Sequence, residues 1–362
     1  MSNWPPPLKK ILVVKLSAIG DVILAGYSFR AIKEQWPQAQ LTVLTSHRTA
    51  PLLLNNRYVD HVLEIDEMIF WKKQIGPLMR LFKRLRDERY DAVFIMHWST
   101  AFHWFFGLMG IPNRIGFERE GKSWRLTRKK PYVEGKQVLH DVQQYGSLVT
   151  DSKMDLSRLQ DYSPLQYSQE EIKEFDRRMK AWAAQDSKPW IAVAPGGGNN
   201  PKLFMPQKRW PASSFAGVIQ ELQNKKNASI FLLGDASEKE LLAPFLPASS
   251  NFVNLCGELS LRETGLLLRH CRLFIGNDSG LLHVAGAVGT PSLSFFGPTA
   301  PDGKVPVWAA HRVLYRQEAC SPCYKYGKAP PCPYELKCLT QITVDDAFSK
   351  ASELLAASGV PA

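Results

Sequence analysis

The chain has 362 residues, 45% of them hydrophobic and 22% charged, which describes a folded globular protein and excludes a disordered or fibrous one. That length exceeds one typical core, so two domains are expected. The net charge is +11, and residues 72–136 carry 15 Lys/Arg against 6 Asp/Glu, or +9 of it.

The opening Met1-Ser-Asn-Trp-Pro-Pro-Pro-Leu8 lacks a basic start followed by an apolar run, so no secretory signal is expected. The expected location is cytoplasmic, with the protein resting peripherally on the inner face of the membrane. Lys10–Lys15 reads as a buried strand, Leu16–Asp21 as a turn and Val22–Gln35 as a helix ended by Pro37. Leu41–Thr45 and Val62–Ile65 read as strands, and Ile75–Glu88 as a strongly basic helix. The basic segment around this helix implies an anionic partner: a phosphate-bearing substrate or a membrane surface. No nucleic-acid-binding motif is present, so nucleic acid is not an expected partner. Ala92–Ile111 holds no formal charge and is long enough to span a bilayer. His97, Ser99, Thr100, His103, Gly107 and Gly110 interrupt it, so strand Ala92–Met96 and a short buried helix are expected instead. Ile111–Lys136 reads as a long loop, His140–Thr150 as a helix, Asp151–Ser168 as a polar linker and Gln169–Ala184 as a helix.

The alternation then restarts. Strand Trp190–Ala194 opens into Pro195-Gly-Gly-Gly-Asn-Asn200, followed by helix Ser213–Lys225 and strand Ser229–Leu233. Helix Ser237–Phe245, strand Phe252–Leu255, helix Leu261–His270 and strand Leu273–Ile275 continue the pattern. The turn Gly276–Gly280 leads into helix Leu281–Val288, closed by Gly289 and Pro291, and then strand Pro291–Phe295. A last helix covers Val344–Ala357. Alternating strands and helices make βαβ units and parallel sheets. The expected fold class is α/β, two Rossmann-like doubly wound domains facing across a cleft, with ligands at the carboxyl ends of the strands. No residue-level repeat relates the halves.

Several loops at that edge carry candidate chemistry. A strand running through Gly276-Asn-Asp-Ser-Gly280 into a helix aims backbone N–H groups and the positive end of a helix dipole at the loop, which suits a diphosphate. Asp278 and Ser279 can cap this helix, Gly280 admits a close ligand, and His283 lies one turn inside; an ordinary capped helix with a core histidine fits the same residues. Asp21, at the first turn of the first helix, is either a helix cap or a carboxylate placed to take a proton from an acceptor hydroxyl. Lys208 and Arg209, before a helix capped by Ser213, either neutralise a diphosphate or are solvated surface charges. The glycines of Pro195–Asn200 match neither a Walker A loop nor a dinucleotide fingerprint. Cys320, Cys323, Cys332 and Cys338 are either a structural metal site or reduced loop thiols, while Cys256 and Cys271 read as small core residues.

The ordered set Lys15-Leu-Ser-Ala-Ile-Gly-Asp21, Ile115-Gly-Phe117, Pro195-Gly-Gly197, Lys208-Arg-Trp-Pro211, Gly276-Asn-Asp-Ser-Gly-Leu-Leu-His283 and Cys320-Ser-Pro-Cys323 with Cys332-Pro333 resembles the lipopolysaccharide heptosyltransferase family (ADP-heptose:LPS heptosyltransferases, glycosyltransferase family 9). These motifs span nearly the whole chain. The resemblance implies a GT-B fold: residues 1–168 an acceptor-binding domain, 169–343 a nucleotide-sugar domain, and 344–362 a last helix packing back on the first domain. It implies inverting transfer of heptose from ADP-heptose to an inner-core acceptor, with Asp21 as general base. Gly196, Gly197, Lys208, Asp278, Ser279, Gly280 and His283 are then donor-binding residues. Glu238 is the implied holder of the ribose hydroxyls. Arg125, Arg128, Lys129 and Lys130 are the implied contacts of a lipid-linked anionic acceptor. No Asp-x-Asp motif lies near the donor loops, so neither a metal nor a cofactor is expected. The stretch from Gly198 to Lys208 is longer than in many relatives, which leaves open a different nucleotide sugar. An epimerase on the same architecture and a non-catalytic anionic-glycolipid-binding protein are the other readings.

Overall fold

The structure is a computed structural model that describes residues 7–358, except 98, 120, 122, 134–138, 153–154, 160–161, 184–187, 201–202, 242, 245–251, 308 and 325–328. The chain divides into two compact units: residues 1–133 with 139–166, and residues 134–138 with 167–362.

In the first unit the strands are β1 (Lys10–Val14), β2 (Gln40–Ser46), β3 (His61–Ile65), β4 (Ala92–Ile95), β5 (Asn113–Glu118) and β6 (Arg128–Pro131). They form one sheet in the order β3-β2-β1-β4-β5-β6, with every pairing parallel. The inner strands are continuous apolar runs because helices cover both faces of a parallel sheet. On one face, Leu81 and Leu85 of helix Ile75–Asp87 and Phe102 and Phe106 of helix Thr100–Leu108 pack over Leu12, Val14, Val93 and Ile95. Helix Ile19–Gln35 is buried along most of its length and neighbours helix Asp141–Ser147. The loop expected over Ile111–Lys136 instead holds β5 and β6. Ile115 and Phe117 point inward, and Arg-Lys-Lys-Pro forms an edge strand, where charge and proline block further pairing. Ala92–Ile111 divides into strand and helix, and no helix among the described residues is long and apolar enough to cross a membrane. The polar stretch expected as a linker is pinned to this unit as far as Gln166. Asn56 Nδ2 donates to Tyr162 Oη at 2.8 Å and to the Pro164 carbonyl at 3.0 Å.

In the second unit the strands are β7 (Trp190–Ala194), the short hairpin β8 (Asn199–Asn200) and β9 (Leu203–Phe204), β10 (Ser229–Leu232), β11 (Phe252–Asn254), β12 (Leu273–Asn277), β13 (Ser292–Phe296) and β14 (His311–Tyr315). The main sheet runs β11-β10-β7-β12-β13-β14, again all parallel. Numbered by their own appearance, both sheets therefore have the order 3-2-1-4-5-6. Edge strand β14 was not foreseen, and the helix expected at Ser237–Phe245 is a single 3₁₀ turn, Ala236–Glu238, with part of the remainder outside the described residues. Trp210 stacks on Phe295 with ring centroids 4.1 Å apart, and its indole N–H donates to the Ile342 carbonyl at 3.0 Å. The last helix, Val344–Ala357, puts Ala347, Ala351, Leu354 and Leu355 into this core with Val218, Ile219 and Leu222. This last helix is therefore part of the second unit's core.

Candidate active site

β7 and β12 are neighbours, with Ala194 beside Gly276. Strand order diverges here, so the loops that follow the two strands emerge side by side at the carboxyl edge, the usual ligand position of such a sheet. One side chain joins them. Asn277 is fully buried; its Nδ2 donates to the Pro195 carbonyl at 2.8 Å and the Gly196 carbonyl at 2.9 Å, and its Oδ1 accepts from Trp210 N at 2.9 Å. The Trp210 donor fixes which amide atom is oxygen. Asn277 was overlooked in the sequence; its one local signal was an amide at the end of an otherwise apolar strand.

The glycines make room for these contacts. Gly197 has φ +99°, and an added Cβ there would lie 2.7 Å from Ser279 Cβ. A Cβ on Gly196 would lie 1.9 Å from Glu238 Oε1. The longer stretch after Gly198 folds as the β8–β9 hairpin, closed by Met205 N donating to the Gly198 carbonyl at 2.8 Å.

Gly280 is the first residue of helix Gly280–Ala287. Neither expected cap forms. Ser279 occupies the N-cap position without a side-chain hydrogen bond, and Asp278 is used elsewhere. Its carboxylate is ion-paired with the Lys208 ammonium and accepts from Thr299 Oγ1 at 2.6 Å. Burial alone would push this carboxyl up; the Lys208 charge and hydrogen bond, the Thr299 hydroxyl and His283 together hold it below the usual carboxylate range. Lys208 ends the 3₁₀ turn Pro206–Lys208, and its Nζ lies 5.2 Å from the centre of the Tyr324 ring. An ammonium has three donors, so the pair with Asp278 aims Lys208 without exhausting it. His283 is buried one turn into the helix, and its charge bears on both Asp278 and His311. Burial, then the His283 and Arg312 charges, hold His311 down to about 4, so its neutral ring lies between the hydroxyls of Ser292 (2.8 Å) and Ser294 (3.1 Å). The helix after Lys208 begins at Ala212 with Pro211 as N-cap, so Ser213 lies inside its first turn rather than capping it.

Glu238 is buried in the same loop cluster. Oε1 accepts from Gly197 N at 2.7 Å and Arg209 Nη2 at 2.9 Å, and Oε2 accepts from Asp235 N at 3.1 Å. Arg209 is thus an inward partner of Glu238 and not a solvated charge. Its Nε also donates to the Gly197 carbonyl at 2.8 Å. The structure therefore brings Gly196, Gly197, Lys208, Glu238, Asp278, Ser279, Gly280 and His283 into one region of the second unit.

In the first unit Asp21 lies on the opening turn of helix Ile19–Gln35. Its Oδ2 accepts from Lys15 Nζ at 3.0 Å and from Ala18 N at 3.4 Å. Lys15 is almost wholly buried, whereas the Asp21 side chain is 33% exposed, so the carboxylate reaches solvent while its counter-charge is held beneath it. Lys15 also lies over the Tyr145 ring, 5.2 Å from its centre. Capping and outward exposure coexist at Asp21. The four basic candidates are less available than expected. Arg128 and Lys130 share Asp151, at 2.6 and 2.7 Å, and hold that carboxyl down at about 2. Lys129 lies 3.8 Å from Glu118. Arg125 has its guanidinium 4.7 Å from the Trp104 ring and 4.2 Å from the Trp124 ring.

Cys256 and Cys271 are buried core thiols; burial first, then Glu238 and Asp235, pushes Cys256 up to about 11. Cys320 is exposed, Cys323 and Cys332 are half-buried and Cys338 is buried, all as free thiols. Among the described residues, no group of three or more His, Cys, Asp or Glu side chains is arranged to hold a metal ion.

A family model described as Glycosyltransferase family 9 (heptosyltransferase) matches residues 78–332. Lipopolysaccharide heptosyltransferase 2 of Salmonella typhimurium is 28% identical over 314 residues, 84% of this chain and 87% of its own. Lipooligosaccharide heptosyltransferase 2 of Haemophilus influenzae is 28% identical over 360 residues, 96% of this chain and 99% of its own. The solved E. coli ADP-heptose LPS heptosyltransferase II superposes with a TM-score of 0.74 at 25% identity, covering 97% of this chain and 99% of that one. With the two six-stranded parallel sheets, this likeness gives the fold as GT-B. The chain is a glycosyltransferase, and it belongs to glycosyltransferase family 9, the heptosyltransferase family.

Proposed function

We propose that this enzyme transfers a heptose from ADP-heptose to an anionic, lipid-linked inner-core acceptor of lipopolysaccharide, in one inverting displacement that needs no metal ion. The acceptor oxygen attacks the anomeric carbon and its proton passes to the Asp21 carboxylate. The bond from that carbon to the diphosphate breaks, and ADP leaves with the bonding electron pair. The charge growing on the diphosphate meets the Lys208 ammonium and the N-terminal N–H groups of helix Gly280–Ala287, which act without rearranging. Glu238 has one lone-pair site left on Oε2 for a ribose hydroxyl, after the three hydrogen bonds it accepts from the protein. Of the four basic acceptor candidates, Arg125 is the one that makes no ion pair among the described residues. An acceptor of this kind places the work at the inner face of the cytoplasmic membrane.

The observation that carries this reading is the assembly of Lys208, Gly197 and an uncapped helix start at the β7/β12 divergence. A thermal-shift titration with ADP, UDP and GDP in EDTA tests it. A nucleotide at about a hundred times its Kd stabilises the protein by about 2.7 kcal/mol. Selective stabilisation by ADP, and turnover of ADP-heptose in EDTA with inverted product, are expected. Selective response to UDP or GDP would move the donor to another sugar nucleotide, and loss of turnover in EDTA would end the metal-free mechanism.

A further inference from the structure

Nine large hydrophobic side chains are exposed among the described residues, and five of them belong to one surface of the first unit: Ile75, Met79, Trp104, Leu108 and Trp124. Ile75 is 77% exposed and Leu108 63%. Exposed apolar side chains scattered singly are ordinary, but a cluster is not. Ile75 and Met79 are four apart on helix Ile75–Asp87, and Trp104 and Leu108 are four apart on helix Thr100–Leu108, so each pair shares a helix face. The two helices cover the same side of the sheet through Leu81, Leu85, Phe102 and Phe106, and they touch through Phe82 and Phe105, whose rings are 5.7 Å apart. Their outward sides therefore lie in one layer. Trp124 joins it by stacking edge-on against Trp104, with centroids 4.9 Å apart.

The surroundings of this layer are cationic. Lys72, Lys73, Arg80, Lys83, Arg84 and Arg86 are exposed, and none makes an ion pair among the described residues. Glu88, the acid nearest in sequence after Asp87, is turned to Lys10 at 3.0 Å. Indole rings and short apolar chains ringed by Lys and Arg match the interfacial zone of a bilayer, where indoles settle at headgroup level and long cationic chains reach phosphates. A second copy of the chain is a poor occupant, because in a two-fold interface the patch meets itself and cations face cations.

We propose that the outer face of helices Ile75–Asp87 and Thr100–Leu108, with Trp124, docks on an anionic lipid bilayer, apolar side chains entering the interface and the surrounding Lys and Arg side chains binding headgroup phosphates. This goes beyond the transfer reaction and stands without it, so it is tested with neither donor nor acceptor present. The probe is flotation with vesicles of phosphatidylcholine alone or enriched in phosphatidylglycerol, at low and high salt. The intact protein is expected to float with the anionic vesicles at low salt and to remain behind with the neutral ones. The double variant Leu108→Ser/Trp124→Ser should partition at least about tenfold less, since interfacial binding scales with buried apolar area. Arg80→Glu/Lys83→Glu, a change of four charges, should lose on the order of several hundredfold, from about fivefold per charge near an anionic surface. Ile75→Ser/Met79→Ser, on the neighbouring helix, repeats the apolar test if the first pair fails to fold, and a normal melting curve certifies each variant. Failure of the intact protein to float would overturn the proposal. So would serine variants that bind like the parent, which leaves charge adsorption alone, or a dimer in solution that the serine variants break.

Discussion

Lys208→Met is the most informative single change at the candidate site. It keeps most of the side chain's bulk and deletes the charge that compensates Asp278. Both side chains are largely buried, at 13% and 7% exposed, so water does little to replace the lost partner. Removing one member of a buried ion pair costs about 3–5 kcal/mol, because the other charge is left uncompensated. The pH dependence should also change sign. In the parent, Asp278 titrates below its unfolded value, so its stabilisation is present above that unfolded value and is lost as pH falls through the folded one. Without Lys208, burial dominates and the folded value rises above the unfolded one. Stability is then greatest in acid and falls as pH climbs through the raised value. The deficit of Lys208→Met should therefore be partial near pH 4, where the parent's stabilisation is present and the variant has not yet lost its own, and reach its full size by about pH 7. Lys208→Met/Asp278→Asn removes the orphaned charge and should recover more than half of the loss, with a flat pH profile. Calorimetry over this range reads all three proteins. A unit of this size shifts by about 2–4 °C per kcal/mol, so the single variant should melt about 6–20 °C lower at neutral pH. A single variant as stable as the parent at pH 7, or a double variant no better than the single, would refute the argument. Both variants should bind ADP at least about tenfold more weakly, which separates the residue's part in donor binding from its part in stability.

Asn277→Asp, nearly isosteric, should cost about 2–4 kcal/mol, since two buried carbonyls lose their donor and face an acceptor instead; urea unfolding checks it. Gly196→Ala should weaken ADP binding at least about tenfold while the protein stays folded, because the new methyl displaces the Glu238 carboxylate; calorimetric titration reads the affinity. Asp21→Asn should slow transfer by about a hundredfold or more, the usual scale of a lost general base, with the ADP thermal shift unchanged. Near-normal turnover in that variant would remove Asp21 from its proposed role.

What the sequence made legible, and what it hid, divides along one physical line. Buried parallel strands are continuous apolar runs and core-facing helices carry a 3.6-residue apolar period between caps, so strand Trp190–Ala194 and helices Leu261–His270 and Val344–Ala357 were placed to the residue. The edge strand β6 escaped notice because its Arg-Lys-Lys-Pro sequence is polar; its stability comes from the neighbouring β5 and from Asp151 clamping Arg128 and Lys130, whereas the apolar edges β3 and β11 were placed and the half-buried β14 was passed over. The candidate site shows the same division. Asp278 and Ser279 were read as caps because a cap is the partner that lies nearest in sequence. The structure gives Asp278 a partner seventy residues away in Lys208, and the helix start is left open for an anion as a result.

The same reasoning explains why the two candidate loops could be picked out singly while their mutual arrangement could not. The sequence displays two strand-to-glycine turns, at Ala194–Gly198 and Asn277–Gly280, and each can be recognised from local residues alone. That they are neighbours follows from topology. Parallel crossovers carry the chain outward from β7 through β10 to β11, and a return crossover sets β12 on the other side of β7. The loops after the first and fourth strands must then flank one another, whatever residues they hold. The first unit repeats this order with no residue-level similarity, and there too the loop after its first strand carries the candidate base, Asp21. Topology creates the juxtaposition; Asn277 fastens it in the second unit, by hydrogen bonds to Pro195 and Gly196 that no local pattern in the sequence announces.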